Sequence, residues 1–304
     1  MTRVVVLGGS GMLGSMVVDY LARDRELGVV ATVRSAALAA SGRVRHAAVE
    51  WALFDCEGAP TWEVLEGASW IINAVGITKP LIRDNNPAEV ARAIVVNAQF
   101  PHALGLHAQQ SGARVLQIAT DCVYSGLRGN YSERDLHDAL DVYGKTKSLG
   151  ESRLPSMHHL RCSIIGPEPN DHKFLIDWFL GQPVGAQLNG FVNHQWNGIT
   201  TLQFAKICHG ILTEKIALPH MQHVVPTASL SKADMLVEFG RSFGREDISV
   251  RRVEAERVLD RTLCTEDDAL NRQLWEAACY SVPPTVPEMI AELARYQRSP
   301  VPVG

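Results

Sequence analysis

The stretch "TRVVVLGGSGMLGSMVVDYLARD", Thr2 to Asp24, decides the fold. It opens on a β-branched apolar run that ends in glycines, and from there Leu13, Met16, Val17, Tyr20 and Leu21 recur at helical spacing. A strand, a tight turn and a helix follow one another. Gly8, Gly9, Gly11 and Gly14 satisfy both GxGxxG and GxxGxxG in that turn. Glycine is needed where φ angles disfavour a Cβ, where backbone approaches a pyrophosphate and where helix packs closely on strand. The helix N-terminus adds free N–H groups and a positive dipole end. Gly8, Gly11, Met12, Leu13 and Gly14 are therefore candidate dinucleotide-binding residues.

The pattern repeats along the chain. "LGVVATVR", "HAAVEWALFD", "SWIINAVG", "ARVLQIATDCVYSG" and "HHLRCSIIG" read as strands two to six, and one long helix is expected from Pro87 to Gly112. Apolar strands alternating with helices imply a parallel sheet covered on both faces. The expected class is α/β: a Rossmann doubly wound sheet over residues 1–165, with a smaller C-terminal α/β substrate-binding region over 166–304. Some segments of that region are expected to return to the sheet. The final "PVPVG" is expected to fray.

Composition narrows the function classes. With 304 residues, 46% hydrophobic, 20% charged and a formal net charge of -4, the chain has the make-up of an ordinary soluble globular protein. Scattered Lys and Arg give no basic stripe for nucleic acid, and no run approaches the roughly 20 apolar residues of a membrane span. Six dispersed cysteines without metal-ligand spacing, behind an N-terminus that begins a strand, point to a reducing cytoplasm and no metal centre. A homodimer is compatible with the sequence.

The end of strand two selects between dinucleotides, because an acid there binds the ribose 2′-hydroxyl of NAD and an Arg accommodates a 2′-phosphate. The sequence reads "ATVR", with Arg34 in that place and no acid nearby, so NADP(H) is favoured over NAD(H). Asp55, at the end of strand three, can accept from an adenine amino group or cap a helix.

Carboxyl ends of parallel strands are where ligands sit. Thr120 ends strand five, and "DVYGKTKSLGE" follows with Tyr143 and Lys147 at i and i+4 of an expected helix, hence on one face. A neighbouring ammonium lowers a phenol pKa from its reference of about 10, and a hydroxyl at the strand end can hold a carbonyl beside it. Thr120, Tyr143 and Lys147 make a carbonyl-reduction set.

"LGGSGMLG", "NAVG", "VNAQFPHAL", "ATDCVYSGLRGNYSE", "VYGKTKSLGE" and "LRCSIIGPE" together resemble the extended short-chain dehydrogenase/reductases, and within them the dTDP-4-dehydrorhamnose reductase-like nucleotide-sugar reductases. The resemblance implies that NADPH reduces the C4 ketone of a nucleotide-linked 4-keto-6-deoxy sugar. It assigns the carbonyl to Thr120, the proton to Tyr143, and the nicotinamide ribose and the Tyr pKa to Lys147. Ala74, Val75, Gly76, Asn97 and Ile165 would line the cofactor. Asp121, Cys122, Val123, His194, Trp196, Asn197 and Arg261 are candidates for the sugar nucleotide, with Thr200 beside them. The related dehydratases carry Thr-Asp-Glu at this strand end. Here it is Thr120-Asp121-Cys122, and a thiol cannot replace that Glu in an elimination. A 4-epimerase, disfavoured by Arg34, and a non-catalytic NADP-binding regulatory subunit are the competing readings.

Overall fold

The computed structural model describes residues 1–170 and 172–298. The "PVPVG" tail lies outside the described residues. The first half alternates as expected: β1 (Thr2–Leu7), α1 (Met12–Leu21), β2 (Leu27–Val33), α2 (Ala36–Arg45), β3 (Glu50–Leu53), β4 (Trp70–Asn73), α3 (Pro87–Ile94), α4 (Phe100–Ser111), β5 (Arg114–Ala119), α5 (Val142–Leu149) and β6 (Met157–Arg161). The strands pair in parallel in the order β3-β2-β1-β4-β5-β6. This is the doubly wound order, whose ligand crevice lies outside the carboxyl ends where the order reverses, between β1 and β4.

Val4, Val5, Val6 and Leu7 of β1 are fully buried. Val4 and Val6 join a core with Val17 and Leu21 of α1, whereas Val5 and Leu7 join Phe100 and Leu104 of α4 on the other face. Alternate residues of one strand thus bury against different helices, which is why the strand reads as apolar throughout.

The second half runs β7 (Ile164–Ile165), α6 (Leu175–Leu180), β8 (Gln187–Phe191), β9 (His194–Trp196), β10 (Ile199–Thr200), α7 (Thr201–Glu214), β11 (Met221–His223), β12 (Leu230–Ser231), α8 (Lys232–Phe243), β13 (Ser249–Val253), β14 (Leu259–Asp260), α9 (Asp268–Ala277) and α10 (Val286–Arg298). Elements of this half return to the first: β11 pairs in parallel with β6 as a seventh strand, α7 packs on α1, and Tyr296 of α10 donates to Asp19 of α1. The rest builds β12-β9-β14, β8-β13 and β7-β10 pairings beside the carboxyl edge. Among the described residues no helix is long and apolar enough to cross a membrane.

The helix expected to run unbroken from Pro87 to Gly112 departs from that reading. A π turn, Val95–Gln99, separates α3 from α4. Pro101 explains it: the ring has no N–H to give the Asn97 carbonyl and would clash with it, so the backbone widens by one residue. The freed Asn97 carbonyl meets the end of α5, where a Cβ on Gly150 would lie 2.0 Å from that oxygen. Gly150→Ala must push α5 off the π turn. We expect a loss of about 1–3 kcal/mol, the range for overpacking, measured as a lower midpoint in thermal unfolding.

Candidate active site

Backbone contacts shape the cofactor side. Gly8 adopts φ +80°, its carbonyl accepts from the Gly11 N–H at 3.0 Å, and a Cβ on Gly14 would lie 2.2 Å from that same oxygen. Gly11 caps α1 with no side chain, so no side-chain acceptor competes for the first N–H groups. Such a cradle fits a dinucleotide pyrophosphate, with Met12 opening the helix and Leu13 buried behind it.

Arg34 stands at the end of β2, 66% exposed, but an acid is close: the Glu57 carboxylate lies 3.6 Å away and is held by Arg92 through two 2.6 Å bonds. The expectation of no nearby acid is corrected, because the loop after β3 folds back beside β2. Asp55 accepts from the Glu57 N–H at 3.0 Å and so shapes that loop rather than capping an α-helix. Ala74 extends β4 by donating to Leu7 O, Val75 donates to Asn73 Oδ1, and Gly76 packs beside Asn97. The Asn97 amide is fully engaged with protein, clamping both backbone groups of Ile77 and reaching Thr146 Oγ1 of α5 at 3.3 Å. Ile165 lies in β7, buried against β10.

The three residues expected to reduce a carbonyl gather at the end of β5. Thr120 is buried, accepts from the Cys122 N–H at 3.1 Å and donates to Asp121 Oδ1 at 3.2 Å. Asp141 caps α5 by accepting from Gly144 N at 2.7 Å. A Cβ on Gly144 would stand 2.4 Å from Cys122 O, so the glycine after the tyrosine lets α5 sit directly on the Thr120-Asp121-Cys122 turn. Tyr143 and Lys147 are both half-buried there.

Their electrostatics differ from the expectation that Lys147 lowers the phenol pKa. Burial pushes Tyr143 well above the usual phenol range, with Cys122 adding to it and the Thr120 hydroxyl pulling the other way. Lys147 turns its ammonium to Ile118 O at 3.1 Å. Burial lowers its pKa to about 8, against the pull of Glu151. The Cys122 thiol is driven up to about 12 by burial and Asp121, and stays neutral.

Behind the trio lies Arg161, at the end of β6 and wholly removed from solvent. It donates to Thr120 O at 2.9 Å, Glu151 Oε2 at 2.9 Å, His223 Nε2 at 3.0 Å and His137 Nε2 at 3.1 Å. An arginine can only donate, so both imidazoles accept and are neutral. Burial and then Arg161 lower both histidines to about 4. Sequence reasoning missed Arg161 and Glu151, although an arginine inside an apolar strand and a Glu at i+4 from Lys147 were the available signals.

Of the substrate-side candidates, Asp121 and Cys122 adjoin Thr120 on the turn after β5, and Trp196 Nε1 donates to Ser163 Oγ at 2.7 Å. Val123 is fully buried with Tyr124, Tyr131 and Leu263. Asn197 clamps both backbone groups of Leu263, and His194 bonds Arg257 O at 3.0 Å, so both hold backbone. Thr200 bonds Gln203 inside the protein. Arg261 donates to Tyr124 O at 2.8 Å and lines a cavity of about 300 Å³ with Lys79, Arg257, Ser125, Asp84 and Asp141. Lys79 and Arg257 were not singled out from sequence.

A dTDP-4-dehydrorhamnose reductase of Streptomyces griseus is 34% identical over 155 residues, 49% of this chain and 43% of that protein. The chain spans less than half the length of the curated relatives it matches. Among solved structures, the dTDP-4-dehydrorhamnose reductase of Bacillus anthracis in complex with NADP superposes with a TM-score of 0.71 at 17% identity, over 98% of this chain and 100% of that one. The UDP-glucuronic acid 4-epimerase of Bacillus cereus, in complex with UDP-glucuronic acid and NAD, gives 0.73 at 15%, over 97% and 98%. Identities this low speak for the fold alone. The model of the RmlD substrate binding domain matches residues 1–165, more than half of the sequence, and the chain belongs to that family.

Proposed function

We propose that the protein is an NADPH-dependent reductase of the C4 ketone of a nucleotide-linked 4-keto-6-deoxy sugar. The observation that carries this reading is the meeting of Thr120, Tyr143 and Lys147 at the carboxyl end of β5, in a fold whose glycine cradle fits a dinucleotide. The family and the likeness to reductases of this class support it. Arg34, exposed at the end of β2, supports NADP(H) over NAD(H), with Glu57 as its partner until a 2′-phosphate competes.

When bound, the nicotinamide supplies the hydride. Gly8, Gly11 and Gly14 hold the pyrophosphate against the start of α1. The Thr120 hydroxyl turns its proton from Asp121 to the sugar carbonyl and fixes that oxygen. Tyr143, kept protonated by burial, gives its proton to the oxygen as it becomes an alkoxide, a stronger base than a phenolate. Lys147 holds the nicotinamide ribose and supplies positive charge beside the phenol. Arg261 and Arg257 give the adjoining cavity positive charge that suits a diphosphate, Lys79 there being paired with Asp141 at 2.6 Å. Cys122, a neutral thiol, has no part in proton transfer, which favours reduction over dehydration.

Mixing the protein with NADPH and dTDP-, UDP- or GDP-linked 4-keto-6-deoxy sugars should consume the cofactor with at least one of them, followed by its absorbance. Binding of NADPH without turnover on any would return the chain to the regulatory-subunit reading. Tyr143→Phe should lower kcat by about 10²-fold or more, the upper part of the general-acid range, with NADPH affinity nearly unchanged. The Lys147 pKa is lowered, so its ammonium is present below pH 8 and is lost as pH rises through about 8. The profile of kcat/KM, which reports free-enzyme groups, should accordingly fall above about pH 8, and a flat profile to pH 10 would remove Lys147 from the charged role.

A further inference from the structure

The cavity of about 300 Å³ is lined from both halves of the chain. The first half contributes Lys79, in the turn after β4, and Asp141, the N-cap of α5, whereas the second contributes Arg257 and Arg261, which flank β14. With Asp84, the lining carries three cations and two carboxylates.

These charges are unequally engaged. Among the described residues the Arg257 side chain has no hydrogen-bond or ion-pair partner, and Arg261 spends only its Nε, on Tyr124 O. Lys79 is occupied, with Nζ 2.6 Å from Asp141 Oδ2. Asp141 is occupied twice, because its Oδ1 accepts from Gly144 N at 2.7 Å and so caps the helix that bears Tyr143. Burial raises the Asp141 pKa, but Lys79, the Gly144 N–H and Arg261 together lower it by more, so the group is a carboxylate at neutral pH.

Unengaged guanidinium forks fit phosphate oxygens, and a nucleoside diphosphate brings at least two negative charges to them. A carboxylate in the same lining repels such a ligand unless a cation covers it, and Lys79 covers Asp141. That cover is lightly held: the Lys79 side chain is 55% exposed, and an exposed ion pair contributes little. A ligand with more negative charge than one carboxylate therefore competes for the ammonium. Asp141 keeps the Gly144 N–H when Lys79 leaves, so α5 stays capped in both states.

We propose that Lys79 is the third cation of a diphosphate subsite, held by Asp141 while the cavity is empty and given over to the phosphate oxygens when a nucleoside diphosphate enters. The inference rests on the sugar-nucleotide reading above and adds a selection rule to it. The Lys79–Asp141 pair favours ligands charged enough to outcompete a carboxylate, which a diphosphate is and a free sugar is not.

Calorimetry tests this by titrating dTDP, UDP and GDP into the enzyme–NADP⁺ complex of wild type, Lys79→Met, Lys79→Arg, Asp141→Asn and the Lys79→Met/Asp141→Asn double variant. Asparagine caps a helix about as well as aspartate but offers Lys79 no charge. Lys79→Met should weaken the preferred diphosphate about 10- to 100-fold, the scale of a charge-assisted hydrogen bond, with NADPH affinity unchanged, and Lys79→Arg should recover part of the loss. Asp141→Asn should do the opposite and tighten binding about two- to fivefold, because an exposed ion pair no longer has to be given up. In the Lys79→Met background the same Asn substitution should gain nothing. Unchanged binding by Lys79→Met overturns the proposal. So does an Asp141→Asn variant that binds no more tightly than wild type, as a purely structural cap would. A gain that persists without Lys79 overturns it as well, since Asp141 would then only repel the ligand. A Met variant that had lost its fold would show as lost NADPH affinity, and Lys79→Gln then takes its place in the same comparison. If wild type binds no diphosphate and reduces no nucleotide-linked sugar, the reductase reading fails and takes the subsite with it. If wild type reduces such a sugar while Lys79→Met binds the diphosphate at full strength, the role of Lys79 alone is wrong.

Discussion

A guanidinium wholly out of water persists only when its donors are matched, and Arg161 meets that condition by drawing in four separate parts of the chain. Thr120 comes from the end of β5, Glu151 from the residues after α5, His223 from β11, and His137 from the loop between β5 and α5. Displacing any one leaves a buried donor unpaired. The Arg161 ring contact with Tyr124, 5.2 Å from its centre, and the stacked Tyr124–Tyr131 pair close the remaining side. Because Glu151 follows Lys147 by four residues and Thr120 ends β5, one buried charge fixes where the helix bearing Tyr143 lies relative to the strand end.

Backbone proximity completes that placement. Gly144 admits Cys122 O and Gly150 admits Asn97 O at distances where a Cβ has no room. Gly144 lies in the first turn of α5 and Gly150 just past its last residue, so the helix is pinned near each end by main chain rather than by adaptable side chains. Asn97, freed for this position by the π turn, clamps the loop after β4 to α5 through Ile77 and Thr146. The loop after β4 and the helix bearing Tyr143 and Lys147 therefore share one joint.

Much of this was legible in the sequence. The six strands, the glycine turn and the Tyr143 helix carry strong periodicities and glycine signals, and all are present. The seventh strand, "MQH", is three residues long with one apolar side chain, too short to show a period. Pro101 announced an interruption but not its form as a π turn. Polar candidates were the least readable, because the partner of Asn197 lies 66 residues away at Leu263 and that of His194 lies 63 residues away at Arg257. Spacing tells which residues share a helix face. It does not tell which backbone group will claim an amide or an imidazole, nor that Glu57 folds back on Arg34.

The reversed sign at Tyr143 has a chemical meaning of its own. Spacing alone led to a phenol acidified by Lys147, whereas burial dominates and raises it. A tyrosine that must act as a base on an alcohol has to ionise near neutral pH, and burial opposes that. A tyrosine that must protonate an alkoxide has only to keep its proton until a stronger base forms beside it, and burial ensures this. Lys147 is destabilised as a cation by the same burial, so the corner rests with a protonated phenol and with an ammonium that gains from any negative charge appearing nearby. Charge that develops on the substrate oxygen is such a change, and a low-dielectric site magnifies its effect. The resting electrostatics of the corner thus suit the proton donation that the proposed reduction requires.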